Sequence, residues 1–173
     1  MKLIVGLGNI GKEYVNTRHN AGFMAIEKLL AGQIARPDSK FEAEVFKAGE
    51  MLLCKPTTFM NDSGRAVRKI MDFYKLSTED VAIIHDDLDI ELGEYKIQKG
   101  VGPKVHNGVT SVEQALGTKD FLRVRLGINN RSESGFGGSG ADYVLTRFTS
   151  DELEIIGDTI EEAMDELVVA LSL

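Results

Sequence analysis

The opening run MKLIVGLGNIG leaves the chain few folds to choose from. Leu3, Ile4 and Val5 are continuously apolar and stop at Gly6, the pattern of a strand buried on both faces of an α/β sheet. Gly6, Gly8 and Gly11 then break the strand into a loop. Beyond it, Phe23, Ile26, Leu29 and Leu30 recur at helical spacing, and Asn20 is placed to cap the helix they define. His19 falls just outside that helix N-terminus, whose partial positive charge disfavours imidazolium. A neutral, proton-accepting ring is therefore expected near neutral pH. The Gly6-x-Gly8-x-x-Gly11 spacing also matches a dinucleotide fingerprint, but that motif needs a helix beginning at the second glycine. Lys12 to Arg18 (KEYVNTR) holds mediocre helix formers and no apolar stripe, so the nucleotide reading is set aside.

The remaining chain alternates strand and helix signals. Phe41 to Ala48 and Met51 to Cys54 flank Gly49-Glu50 and read as an antiparallel hairpin. Val67, Ile70, Met71 and Tyr74 mark a second helix, with Asn61 at its start. Val81 to Ile84 is a buried strand that ends in the polar run His85-Asp86-Asp87-Leu88-Asp89. Glu94 to Gln98 and Phe121 to Ile128 are further strands, and Val109, Val112 and Leu116 face inward from a third helix preceded by Asn107. Ser132 to Gly140 (SESGFGGSG) reads as flexible, a lid or a surface loop. The last helix is the plainest: Thr149 and Glu152 form a capping box ahead of the stripe Leu153, Ile156, Ile160, Ala163, Met164, Leu167 and Leu171.

A chain of 173 residues is long enough for one well-buried α/β domain, expected to span residues 1–173. No apolar run is long enough to span a bilayer and the N-terminus lacks signal-peptide order, so a cytoplasmic protein without a membrane partner is expected. The single cysteine, Cys54, closes an apolar run and reads as a buried thiol. The net charge of −7 argues against a nucleic-acid partner only at first sight. Residues 149–173 carry eight acids and no Lys or Arg, which leaves residues 1–148 at +1. An anionic partner can dock away from the acidic tail.

Chemistry-bearing residues collect at element ends. Asn9 and Asp86 follow strands, while His19, Asn61, His106 and Asn107 precede helices; in α/β folds such positions share the sheet edge where ligands bind. Neither a G-x-S-x-G elbow nor an H-E-x-x-H helix occurs. Asp86, Asp87 and Asp89 are crowded compared with a spaced set of oxygen ligands, so a site without metal is expected. A histidine base, a carboxylate to orient it and several amides suit direct attack of water on an ester.

The blocks GLGNIGKEYVNTRHNAGF, KPTTFMNDSG, IIHDDLD, HNG, RVRLGI and DYVLTRF, in this order and spacing, resemble the bacterial peptidyl-tRNA hydrolase family. The resemblance implies an α/β globule around a mixed twisted sheet flanked by helices. It implies cleavage of the ester between a peptide and the 3′-terminal ribose of tRNA, recycling tRNA from aborted translation, with neither metal nor organic cofactor. It further implies that His19 activates water, that Asp86 stabilises its basic form, and that Asn9 separates peptidyl from free aminoacyl esters. Tyr14, Phe59, Met60, Asn61, His106 and Asn107 would contact the substrate. Arg125, Lys96 and Lys99 would grip phosphate of a tRNA bound by its acceptor stem and 3′ end. A monomeric enzyme is expected; a module of the same fold that binds RNA without cleaving it is the alternative. The chain departs from the family at Ile10, usually proline, and at Pro103-Lys104-Val105, usually richer in glycine, which implies a stiffer and bulkier loop.

Overall fold

The computed structural model describes residues 1–173 and places the N-terminal apolar run at the centre of a seven-stranded mixed sheet. That strand, β1 (Lys2–Gly6), lies parallel to β4 (Met51–Pro56) on one side and to β5 (Val81–Glu91) on the other. Outside β4 the hairpin partner β3 (Ala43–Ala48) and then β2 (Arg36–Asp38) pair antiparallel. Outside β5 come β7 (Leu122–Asn129), parallel, and the antiparallel edge strand β6 (Tyr95–Lys99).

Strand alternation divides the core between the two faces of the sheet. Ile4, Leu53, Ala82 and Ile84 meet α1 (Ala21–Leu30) and α6 (Ser150–Ala170). Leu3, Val5, Leu52, Cys54 and Ile83 meet α2 (Ser63–Tyr74) and α3 (Asn107–Leu116). The α6 stripe and its Thr149–Glu152 capping box form as the sequence implies. No helix is long and apolar enough to cross a membrane.

Three local expectations change. First, α1 approaches the sheet through small residues, with Ala21, Gly22 and Ala25 buried beside Ile26 and Leu30, whereas Phe23 and Leu29 are half-buried. A Cβ on Gly22 would lie 2.4 Å from the Ile84 carbonyl oxygen, and one on Gly6 would lie 2.1 Å from the Gly22 oxygen. This contact sets the start of α1 beside the carboxyl end of β5. Second, β5 does not stop at Ile84; it continues through His85, Asp86 and Asp87, all buried. A polar run remains strand here because its side chains find partners inside the fold. Third, the glycine-rich segment expected to be flexible contributes α4 (Arg131–Ser134) and the start of α5 (Gly140–Val144), where Ser139 and Asp142 form a capping box.

Candidate active site

At the carboxyl ends of β1 and β5 a cleft of about 550 Å³ opens between the loops. Asn9, His19, Phe59, Met60, Asn61, His106 and Asn107, seven of the residues singled out in the sequence, line it. His19 sits in a one-turn 3₁₀ helix, Arg18–Asn20, that leads into α1. Its Nδ1 lies 3.0 Å from each carboxylate oxygen of Asp86. Asp86 is buried on β5 behind the ring, and its Oδ1 also contacts His106 Nε2 at 2.8 Å.

Asn20 occupies the cap position of α1 but makes no capping bond. Its amide instead pairs with the Asn9 backbone, Oδ1 accepting from the Asn9 N–H and Nδ2 donating to the Asn9 carbonyl, both at 2.9 Å. Asn9 Oδ1 accepts from the Met60 N–H at 2.7 Å. With that oxygen committed, the Asn9 Nδ2 amide is the group left to donate into the cleft. Phe59, just before the 3₁₀ turn Met60–Asp62, holds φ at 60°, a strained conformation for an L-residue, and leaves its ring half-exposed at the rim. Tyr14 does not line the cleft but packs edge-on against Phe59, with ring centroids 6.4 Å apart.

Other expected contacts fall elsewhere. Arg125 is buried, with Nε donating to Asp87 Oδ2 at 2.8 Å and Nη1 to Gln98 Oε1 at 2.7 Å, so two of its three guanidinium nitrogens are engaged inside the protein. Lys96 and Lys99 are exposed on β6, and Lys99 pairs with Asp120 at 3.4 Å. Asn107 does not precede α3 but is its first residue, and His106 caps that helix. The sequence reading missed the apolar wall of the cleft, formed by Leu88, Val105, Val144 and Leu145. Only the block DYVLTRF, which holds Val144 and Leu145, touched part of it.

A family model described as peptidyl-tRNA hydrolase matches residues 3–172. The chain belongs to the peptidyl-tRNA hydrolase family. It is 46% identical over 171 residues to the peptidyl-tRNA hydrolase of Bacillus cereus (strain Q1), covering 95% of this chain and 90% of that one. It is 42% identical to that of Ligilactobacillus salivarius, covering 96% and 91%. A crystal structure of peptidyl-tRNA hydrolase from Acinetobacter baumannii superposes with a TM-score of 0.87 at 32% identity, covering 99% of this chain and 89% of that one.

Within this peptidyl-tRNA hydrolase framework, the loop that carries Pro103-Lys104-Val105 is anchored at its base. The Lys104 N–H donates to Asp89 Oδ2 at 3.0 Å, and the Gly102 carbonyl accepts from Arg123. Val105, 82% exposed, presents a branched side chain at the mouth of the cleft.

The electrostatics turn on Asp86. Burial alone would raise its carboxyl, but His19 and His106 outweigh burial and hold it well below the ordinary carboxylate range. His19 differs from the sequence expectation. Burial would lower its pKa, yet the charge and hydrogen bonds of Asp86 prevail and raise it above the ordinary histidine value. A contact carboxylate outweighs the partial charge of a helix end. His19, Asp86 and His106 offer nitrogen and oxygen atoms within 4.8 Å of one another, a spacing that a divalent ion can span. The hydrogen bonds among them account for that proximity. Cys54 is buried and free, and burial pushes its thiol up.

Proposed function

We propose that the chain hydrolyses the ester joining a peptide to the 3′-terminal ribose of tRNA, with His19 as the base. The observation that carries this reading is the paired imidazole. Asp86 accepts the Nδ1 proton of His19 at 3.0 Å, so the Nε2 lone pair is free at a cleft open to water and substrate. His19 Nε2 takes a proton from water as the water oxygen bonds to the ester carbonyl carbon. Asp86 stabilises the imidazolium that results. Collapse of the tetrahedral adduct breaks the bond to the ribose 3′ oxygen, which receives the proton back from His19; free tRNA leaves with the peptide acid, which gives its remaining proton to solvent and becomes the carboxylate.

The amides supply hydrogen bonds. Asn61, in the 3₁₀ turn Met60–Asp62, and Asn107, the first residue of α3, line the cleft, suited to receive the oxyanion or to hold the 3′ end. Asn9 Nδ2 is a donor, so it favours a peptide carbonyl over a free α-ammonium, which has only donors to offer. The exposed Phe59 ring, backed by Tyr14, offers a stacking surface. Every group named comes from one chain, which supports action as a monomer. One sheet whose two faces carry the whole core supports a single domain, and the ribosome's own compartment, the cytoplasm, is where such a substrate arises.

Incubating the purified chain with N-acetyl-aminoacyl-tRNA tests the proposal. Release of N-acetyl-amino acid and intact tRNA is expected, with free aminoacyl-tRNA cleaved far more slowly. Tight tRNA binding without cleavage would overturn it in favour of an RNA-binding module.

A further inference from the structure

The chain has three histidines, and all of them touch Asp86. His19 and His106 reach its carboxylate, while His85 Nδ1 donates to its backbone carbonyl at 2.8 Å. The rings form a row, with centroids 5.0 Å apart from His19 to His106 and 5.1 Å from His106 to His85.

The polar atoms of His106 are both committed. Its Nδ1 accepts the Val109 N–H at 3.2 Å as the cap of α3. A ring nitrogen that accepts carries no proton, so the proton of the neutral ring sits on Nε2 and is donated to Asp86 Oδ1. The side chain is 3% exposed, and neither nitrogen is free for a substrate unless the cap or the Asp86 contact breaks. His106 therefore meets the cleft with ring carbons, which does not suit the substrate contact that the sequence implies.

We propose that His106 is a positioning residue that acts through Asp86: its Nε2–H holds the carboxylate against His19 and draws off part of the negative charge that His19 feels. This rests on His19 being the base. The groups facing His19 leave Asp86 in control. His106 and, behind it, His85 pack from α3 and β5, and burial pushes His85 down to about 3, which keeps it uncharged. Arg18, on the same turn, is directed away into Glu152 of α6. Asp142 of α5 is held by Ser139, and Asp62 lies exposed on the rim of the cleft. Asp86 is thus the one charge in contact with the His19 ring, and a donor that shares Asp86 tempers the basicity of His19.

Two variants separate the two bonds of His106. His106→Asn keeps an oxygen near the Nδ1 position for capping but is too short to reach Asp86. His106→Gln carries an amide donor near the Nε2 position. Titrating the imidazole resonances of the purified protein by NMR reads His19 directly, whether or not the chain turns over. His106→Asn is expected to raise the His19 pKa by about one pH unit, and His106→Gln to restore it to near the parent value. The acid limb of kcat/KM on N-acetyl-aminoacyl-tRNA should move up with it, so that the loss at neutral pH recovers at higher pH. A His19 pKa unchanged or lowered in His106→Asn, or a raised KM with no movement of the pH profile, overturns the proposal in favour of a substrate contact or a cap alone. A parent protein that fails to hydrolyse the ester defeats the reading of His19 as base, while the titration still decides whether His106 controls its pKa.

Discussion

Arg18 and His19 are neighbours in the chain, yet each serves a different buried carboxylate, and the two pairs have opposite designs. Arg18 turns inward to Glu152, making two bonds of 2.7 and 3.1 Å, a third to Thr146 Oγ1 at 3.0 Å, and stacking on Tyr143 and Phe148. Every polar group there is closed by a permanent cation or a short hydrogen bond. His19 turns the other way, to Asp86, with a titratable ring and one nitrogen left open to the cleft. The closed pair ties the His19 turn to the N-terminus of α6, and the open pair keeps a proton site available. One buried carboxylate holds the fold, and the other is suited to chemistry.

The sharpest test of that division is His19→Ala. It should lower turnover by about 10²–10⁴-fold while costing less stability than the loss of Arg18, because His106 still donates to Asp86 Oδ1, as seen by calorimetry beside the ester assay. A large loss of stability would show that the open pair also holds the fold. The converse variant, Arg18→Leu, strands Glu152 without its cation and should cost about 3–5 kcal/mol in denaturant unfolding. Activity per folded molecule should fall less than in His19→Ala; an equal fall would erase the distinction between the two pairs.

Acid should expose the closed pair next. Burial would raise the Glu152 carboxyl, but Arg18 and Thr149 hold it at about 2. A lowered carboxylate stabilises the fold above its unfolded pKa, and that contribution is lost as pH falls through the folded value. Roughly 3 kcal/mol should therefore disappear between pH about 4.5 and about 2 in a pH series of unfolding curves, and the drop should be largely absent in Arg18→Leu. His19 has the opposite sign. Its raised pKa stabilises the fold below the ordinary histidine value and is lost as pH rises through the raised one. The smallest effect concerns the third buried pair, Arg125 with Asp87. Arg125→Gln should leave the salt dependence of tRNA binding unchanged; a slope reduced by about one would return Arg125 to the phosphate contacts.

Much of this was legible in the residues. The central strand, the hairpin and the capped final helix follow from apolar period and turn chemistry, which act over a few residues. Asn9, His19, Asn61 and Asn107 could be nominated because loops at one sheet edge collect such groups. Where the reading failed, the deciding partner was distant. Polarity suggested that β5 ends at Ile84, but the histidines and Arg125 satisfy Asp86 and Asp87 within the strand. Asn20 looked like a cap and braces Asn9.

The sequence alone determined the central strand, the hairpin and the capped final helix, since period, caps and glycines operate within a turn or two of backbone. It also determined the family. Tertiary structure alone decided the state of each charged group, because pKa depends on desolvation and on charges a few ångströms away. His19 meets a carboxylate 67 positions along the chain, and Arg18 one 134 positions along. Such separations are closed only by packing α1 and α6 on the sheet, and no local pattern records which side chains then touch.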